Sequence, residues 1–387
     1  MPRTQLAGAT GLSHASITAI GGELIAQGLL VEQGTGETPP GGKQRGRPAV
    51  AVTFNRRACH AIIIELDTNR ARLSLVDYAG TLVDRIETEV TPTLFRETRP
   101  ATLLREQIER LRGRNPTIGA TLQRISISVQ GMLDRGGDRL TWSPIPHVSG
   151  ESIVLPLQQA FGCAVSLSKR GRLLAEGARL LYPGLRDLSI ATVFIGSTVA
   201  MGMSFPERQA AQGDDGGTEF GHMNHLPDGA LCRCGVKGCI EAYAADYGVL
   251  RTAYGVPGSA MPAASVPAAA YRELVHLGRA GRRNVVHAFN VAGQAIGFGL
   301  GRLMTIAAPA HVVIVGPGAS AYELMRAEIE AGLNASLVCR VGGVPAITVH
   351  HDEREPIFQG MVASTLAELD QALCAGTPPE PRSTSVE

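Results

Sequence analysis

The stretch "GTEFGHMNHLPDGALCRCGVKGCIEAY" (residues 217–243) holds three of the chain's seven cysteines, with a histidine ten positions ahead of the first. His222, Cys232, Cys234 and Cys239 supply one imidazole and three thiolates, the ligand types of a closed, tetrahedral structural zinc site. Gly235 and Gly238 let the backbone fold back, so that Cys239 can join Cys232 and Cys234 around one ion. A reduced loop with free thiols is the plain alternative, but unligated thiolates this close together repel and oxidise. A redox switch calls for a C-x-x-C pair, and the stretch has none. The expected cofactor is structural Zn2+, with His225 a solvent-facing spare.

On both sides of this loop, strand-like and helical patterns alternate. "AIIIEL", "RLSLVDYAGTLVDRIETEV" and "ISISVQGMLD" read as strands, the second broken by a "YAG" turn into a hairpin. Further on, "GRLLAEGARLLYPG" and "RNVVHAFNVAGQAIGFGLGRLMTIAAP" read as helices, followed by the strand-like "LSIATVFIG" and "HVVIVGPG" respectively. Strand, glycine turn and helix in succession argue for an α/β architecture with two lobes.

The bulk properties bound the function. The chain has 387 residues, 44% hydrophobic and 18% charged, which suits two or three domains with full-sized cores. A net charge of +1 draws it globally to neither nucleic acid nor membrane, so any DNA contact has to come from a local patch. The longest apolar stretch, residues 285–315, is interrupted by Asn290, Gln294, Arg302 and His311 and does not read as a membrane span. No charged-then-apolar leader opens the sequence, and the expected compartment is the cytoplasm. Cys59, Cys163, Cys339 and Cys374 are scattered singly and read as buried or incidental thiols.

The first residues have the rhythm of a helix-turn-helix. Leu6 and Ala9 give the first helix an apolar face, Gly11 makes the turn, and Leu12 fills the angle between the helices. Ser13 caps a second helix whose Ile17, Ile20, Leu24 and Ile25 share a stripe. "GLLVEQG" and "GRPAVAVTFN" then read as strands flanking a wing. In residues 1–50, Arg3, Lys43, Arg45 and Arg47 stand against Glu23, Glu32 and Glu37, and the positive charge is gathered in the wing. Lys43, Arg45 and Arg47 are the expected grip on phosphates or the minor groove. His14, Ser16 and Thr18 are the expected base-facing residues, a modest set without Arg or Lys. An ordinary helical hairpin is the alternative. The sequence begins where a second helix of such a head would begin, so its first helix is expected to be missing.

"TEFGH" at residues 218–222 followed by "CRCGVKGCIE" closely resembles the signature of the ROK family (repressor, open reading frame, kinase), with Thr218 where the pattern has glycine. "VVIVGPGAS" and "IFQGMVAST" resemble that family's late strand and final helix, and the winged head resembles its sugar-responsive repressors. The resemblance implies a two-lobed actin-like (ribonuclease H-like, hexokinase-type) α/β fold preceded by a small winged helix-turn-helix domain. The expected division is 1–55 for the head, 56–168 for the first lobe and 169–352 for the zinc-containing second lobe. Residues 353–373 are then a helix returning to the first lobe, and 374–387 a disordered tail. The resemblance also implies that Glu219, His222 and Glu241 hydrogen-bond sugar hydroxyls.

Kinases of the family hold ATP with two glycine-bearing turns. In the first, the family's glycine and threonine stand here as Asp67 and Asn69, and an added carboxylate repels phosphate. In the second, "IGSTVAMG", Thr198 and Ala200 replace glycines. The Asn-Asp pair whose aspartate takes the sugar proton falls, aligned on "LLAEGA", on Leu167 and Ser168, and a serine cannot serve as that base unaided. No catalytic residue is therefore expected. The ligand is expected to be weakly bound, to differ from the usual hexose, or to be a phosphorylated or acidic sugar that welcomes Lys169 or Arg170. The expected protein is a sugar-responsive regulator acting on operator DNA as a homodimer or higher oligomer. A sugar kinase with a vestigial head, and a binding protein that has lost both activities, remain as alternatives.

Overall fold

A computed structural model describes residues 1–33, 50–91, 93–118, 121–206 and 217–374. Lys43, Arg45, Arg47 and the tail beyond Cys374 lie outside the described residues.

Ten of the strands form two five-stranded sheets with one plan. In the first, Leu82–Glu89, Arg70–Asp77 and His60–Leu66 run antiparallel, and Leu122–Val129 and Ala164–Lys169 continue parallel to His60–Leu66. In the second, Gly217–Thr218, Val199–Ser204 and Ile190–Ile195 run antiparallel, and His311–Val315 and Ala346–His350 continue in parallel. The "YAG" turn is where the sequence puts it: Asp77 Oδ1 accepts from the N–H groups of Ala79 and Thr81, each at 2.9 Å.

The continuous apolar run of His60–Leu66 follows from its position, since both faces of that strand are covered. One face packs on Leu104, Ile108 and Leu157 from the outer helices Pro100–Arg114 and Val154–Phe161. The other meets Arg170–Leu181 and Arg354–Cys374, two helices sandwiched between the sheets; Ala61 and Ile63 share a core there with Leu174, Ile357, Val313 and Val315. These helices approach so closely that a Cβ on Gly177 would meet the Pro356 carbonyl at 1.7 Å, and one on Gly360 the Leu173 carbonyl at 1.9 Å. Only glycine fits at either crossing. The long helix Arg283–Ile306 covers the outer face of the second sheet and buries Phe289, Ile296 and Leu300.

The first residues form helices Arg3–Thr10 and His14–Ala26 and an antiparallel ribbon of Leu30–Gln33 with Ala51–Phe54. Gly11 ends the first helix at φ +70°, and Ser13 Oγ accepts from the Ser16 N–H at 3.1 Å. Three packing expectations fail: Leu12 is 45% exposed, Ile20 is 44% exposed, and Ala9 is exposed while Ala7 is buried. Two short helices and a ribbon enclose only Ala7, Ile17, Leu29 and Val52, too small a volume to cover the whole stripe. Because the second helix leans on its cap, Ser13→Ala should cost about 1 kcal/mol locally. Faster hydrogen exchange over residues 14–18 would register it, and unchanged protection would contradict it.

Candidate functional site

The loop 217–243 is built from tight turns that converge on one point. His222 closes the short 3-10 turn Phe220–His222. Cys232 and Cys234 sit on a turn in which the Cys232 N–H donates to the Val236 carbonyl at 2.9 Å and the Gly235 N–H to the Cys232 carbonyl at 3.0 Å. Gly235 and Gly238 take φ of +86° and +83°, as the fold-back requires. A side chain at Gly238 would also strike the Leu226 carbonyl, 1.9 Å from its Cβ. Cys239 then stands just ahead of the helix Glu241–Ala244.

The ligand atoms of His222, Cys232, Cys234 and Cys239 all lie within 4.8 Å of one another. Cys234 Sγ is 3.7 Å from Cys239 Sγ, and Cys232 Sγ is 3.7 Å from His222 Nδ1. A tetrahedron with metal–sulfur bonds of about 2.3 Å has sulfur–sulfur edges of about 3.8 Å, so the cluster has the dimensions of a four-coordinate zinc site. Those separations are far beyond a disulfide bond. His225 departs from expectation: it is half-buried, its ring 5.4 Å from that of Tyr243 and 6.0 Å from that of Phe298. An imidazole beside two aromatic rings is packing material, and burial lowers its pKa.

His222 alone of the four cluster residues also lines a cavity of about 50 Å3 between the lobes. Glu219, His222 and Glu241 all line it, so the three residues singled out in the sequence meet in one place. With Nδ1 facing Cys232, His222 has its other ring nitrogen available to the cavity. Its ring is edge-on to Trp142, centroids 5.0 Å apart. Glu241 is buried: the Val199 N–H donates to Oε2 at 3.2 Å and the Tyr247 hydroxyl to Oε1 at 3.3 Å. Burial, and then the nearby Cys232 charge, push its pKa up to about 7. Glu219 is more open and meets Lys169 Nζ at 3.2 Å.

Several lining residues escaped the sequence reading. Gln130, Trp142 and Pro144 approach from the first lobe. Trp142 is the chain's sole tryptophan, and that rarity within "LTWSPIP" was the available signal. Ser168 does not line the cavity but sits half-buried on Ala164–Lys169, opposite Ser128; the chain turns into the helix at Lys169, and Lys169, Arg170 and Gly171 reach the cavity.

Asp67 also departs from expectation. Rather than facing an open phosphate cleft, it is buried against Arg170 Nη1 at 2.9 Å, accepting also from the Thr68 N–H at 2.7 Å and from Gln130 Nε2 at 3.0 Å. Burial alone would raise its pKa, but the Arg170 guanidinium and the Thr68 N–H outweigh it and hold the carboxyl below the ordinary range. Arg170 in turn lies 3.7 Å from Glu353 and 4.9 Å over the Phe194 ring. Beside this pair, Thr68 Oγ1 contacts Ser197 Oγ at 3.2 Å, joining the turn of the first lobe to that of the second.

On the head, His14 and Thr18 are exposed and Ser16 is half-buried. The Ser16 hydroxyl contacts Ser13 Oγ at 2.9 Å, and the Thr18 hydroxyl donates to the His14 carbonyl at 2.8 Å. Both hydroxyls are engaged within their own helix.

Comparison with known proteins agrees with this geometry. The family model described as "ROK family" matches residues 62–364. The xylose repressor of Bacillus spizizenii is 21% identical over 318 residues, spanning 81% of this chain and 77% of the relative. Among solved structures, a ROK family transcriptional regulator, homologous to the E. coli MLC protein, superposes with a TM-score of 0.69 at 19% identity, covering 95% of both chains. A ROK hexokinase from Thermus thermophilus superposes at 0.60 with 22% identity, over 81% of this chain and 99% of that one. At these identities the likeness shows the fold, which is the two-lobed actin-like fold of hexokinase type.

Proposed function

The chain belongs to the ROK family, and on that premise we propose that it is a transcriptional regulator, a repressor by its relatives' names, that senses a sugar-type effector without phosphorylating it. One observation supports the reading: the junction of the strand Ala164–Lys169 with its helix, where by resemblance a kinase of the family carries its Asn-Asp pair, here reads Leu167, Ser168 and Lys169 and offers no carboxylate. Glu219 is ion-paired with Lys169, and Glu241 accepts from the Val199 N–H and the Tyr247 hydroxyl, each carboxylate keeping further lone pairs for a ligand's hydroxyls. The contact between Thr68 and Ser197 and the buried Asp67–Arg170 pair involve the two turns that the family resemblance assigns to phosphate binding in kinases, which supports the reading.

In this reading Glu219, His222 and Glu241 accept and donate to vicinal hydroxyls of the effector. His222, Cys232, Cys234 and Cys239 hold a structural zinc ion, which fixes the ring of His222 through Nδ1. The head is residues 1–55, the lobes 56–168 and 169–352, with the closing helix 353–373 packed back on the first lobe. His14, Ser16, Thr18, Lys43, Arg45 and Arg47 face operator DNA, and effector-driven closure of the lobes alters the spacing of two heads in a dimer. Among the described residues no helix is long and apolar enough to cross a membrane. A coupled assay with ATP and a panel of hexoses and amino sugars should give no turnover above the protein-free rate. Sugar-dependent ADP release that co-purifies with the protein and is lost on Glu241→Gln would make it a kinase.

A further inference from the structure

The residues that line the cavity divide by origin. Charged and imidazole side chains come from the strand–helix junction and the cysteine loop: Lys169 and Arg170, then Glu219, His222 and Glu241. Gln130, Gly131, Trp142 and Pro144 bring no charge, and the Gln130 amide already donates to Asp67 at 3.0 Å. Trp142 is the largest side chain on that uncharged wall. An aromatic side chain of its kind has about 150–250 Å2 to bury. Yet Trp142 is only half-buried, and among the described residues it joins none of the three apolar cores. The one aromatic ring it meets there is that of His222, edge-on at 5.0 Å. Its mount is rigid. Met132 pairs with Trp142 across a short ribbon, and the Ser143 hydroxyl donates to the Gln130 carbonyl at 3.0 Å. Gly131 stands at φ +130°, and a Cβ there would lie 2.1 Å from the Trp142 carbonyl, so only glycine lets the two backbones touch. An indole held this firmly, outside every core and on a cavity wall, has the properties of a binding surface.

We propose that Trp142 is a specificity-determining residue: the C–H face of a pyranose ring lies on its indole while the ring's hydroxyls meet Glu219, His222 and Glu241. The inference rests on the reading of the cavity as a sugar-effector site and narrows the effector to a cyclic sugar. A pyranose carries its hydroxyls around a rim and its axial C–H bonds on its faces. Those C–H bonds are apolar and slightly electropositive, and the electron-rich face of an indole attracts them. An open-chain polyol has the same hydroxyls but no such face, so Trp142 discriminates against it. At about 50 Å3 the cavity is tighter than ligand pockets of about 300–1,000 Å3, so the lobes have to part before a ring can enter between Trp142 and His222.

Calorimetry on the full chain tests this, with xylose, glucose, galactose and mannose each set against its own alditol. At least one pyranose should bind about tenfold or more tighter than its alditol. The same titration should change the emission of Trp142, the chain's sole tryptophan. Trp142→Ala and Trp142→Leu should erase the preference for the ring, and Trp142→Phe should retain most of it, with zinc content and melting temperature close to wild type in all three. A side chain with a merely structural role would not separate rings from open chains. If Trp142→Ala does not fold, Trp142→Leu and the wild-type comparison decide. Alditols binding as tightly as their pyranoses, binding that leaves the Trp142 emission unchanged, or a ring preference that survives the loss of the indole would each overturn the proposal. Should Glu241→Gln abolish binding in any of those cases, the sugar sensor stands without its aromatic platform. No binding by any member of the panel would overturn both.

Discussion

Removing zinc with a strong chelator should lower the melting temperature by about 10 °C or more, and Cys239→Ser should do the same without chelator. The loop 217–243 has little apolar core of its own at its tip, where Leu226 and Val236 are exposed. What gathers its turns is the four-ligand cluster. Structural zinc contributes about 10–16 kcal/mol to the folding of isolated zinc-finger peptides. Here the loop is also anchored by buried Phe220, Ile240 and Tyr243, so a loss of about 4 kcal/mol is the more suitable expectation, and each kcal/mol is worth about 2–4 °C in a domain of this size. The loss should reach the cavity as well, because His222 is a ligand and a lining residue at once. Sugar binding followed through Trp142 should weaken in step with the metal content measured by mass spectrometry. Metal-free protein that melts and binds as the zinc-loaded form does would remove zinc from the structure's account.

The cluster of four candidate metal ligands was readable because its chemistry is local: side-chain type, spacing and two fold-back glycines all lie within one loop. The two-lobed α/β plan was readable for a related reason, since strands such as His60–Leu66 announce burial on both faces by an unbroken apolar run. What escaped depends on groups that the chain brings together from afar. Asp67 and Arg170 are 103 positions apart, so in the sequence Asp67 reads as an extra charge in a cleft rather than half of a buried pair. Lys169 reaches the cavity from the last residue of a strand, just before the helix Arg170–Leu181, and which side chain of such a junction faces the cavity is not written in the local pattern. Leu12 and Ile20 have the spacing of a core stripe, but spacing states which face is apolar and not whether anything covers it.

These distant meetings share a location. Arg233, between Cys232 and Cys234 in the cysteine loop, donates from Nη1 to the Ser197 carbonyl at 2.6 Å and stacks 4.3 Å from the Tyr247 ring. Ser197 touches Thr68, Thr68 adjoins Asp67, and Asp67 pairs with Arg170 beside Lys169. The metal loop, the seam between the lobes and the cavity mouth are thus one connected set of polar contacts. A change in how Lys169 and Glu219 are paired has a short physical route to the seam.

Asp67→Ala should cost about 3–5 kcal/mol, the largest effect expected of any single substitution in this seam. The substitution leaves the Arg170 guanidinium buried with Glu353 at 3.7 Å as its nearest counter-charge, and it removes the acceptor of Thr68 and Gln130. Asp67→Asn keeps the acceptor oxygen but loses the charge, so it should fall between wild type and alanine. The pair Asp67→Leu with Arg170→Met removes both ions together and should recover most of the loss, because a buried pair owes little net stability to its charges. The pH dependence follows from the lowered carboxyl pKa of Asp67. Its contribution is fully present above the pKa of an unfolded aspartate and is lost only as pH falls through the lower folded value. Wild type should therefore hold this contribution through neutral and weakly acidic solution, and the gap between it and Asp67→Asn should close only in strong acid. Urea unfolding of the four proteins at neutral and acid pH measures all of this. Equal stability of Asp67→Ala and wild type at neutral pH would mean that the seam is not held by this ion pair.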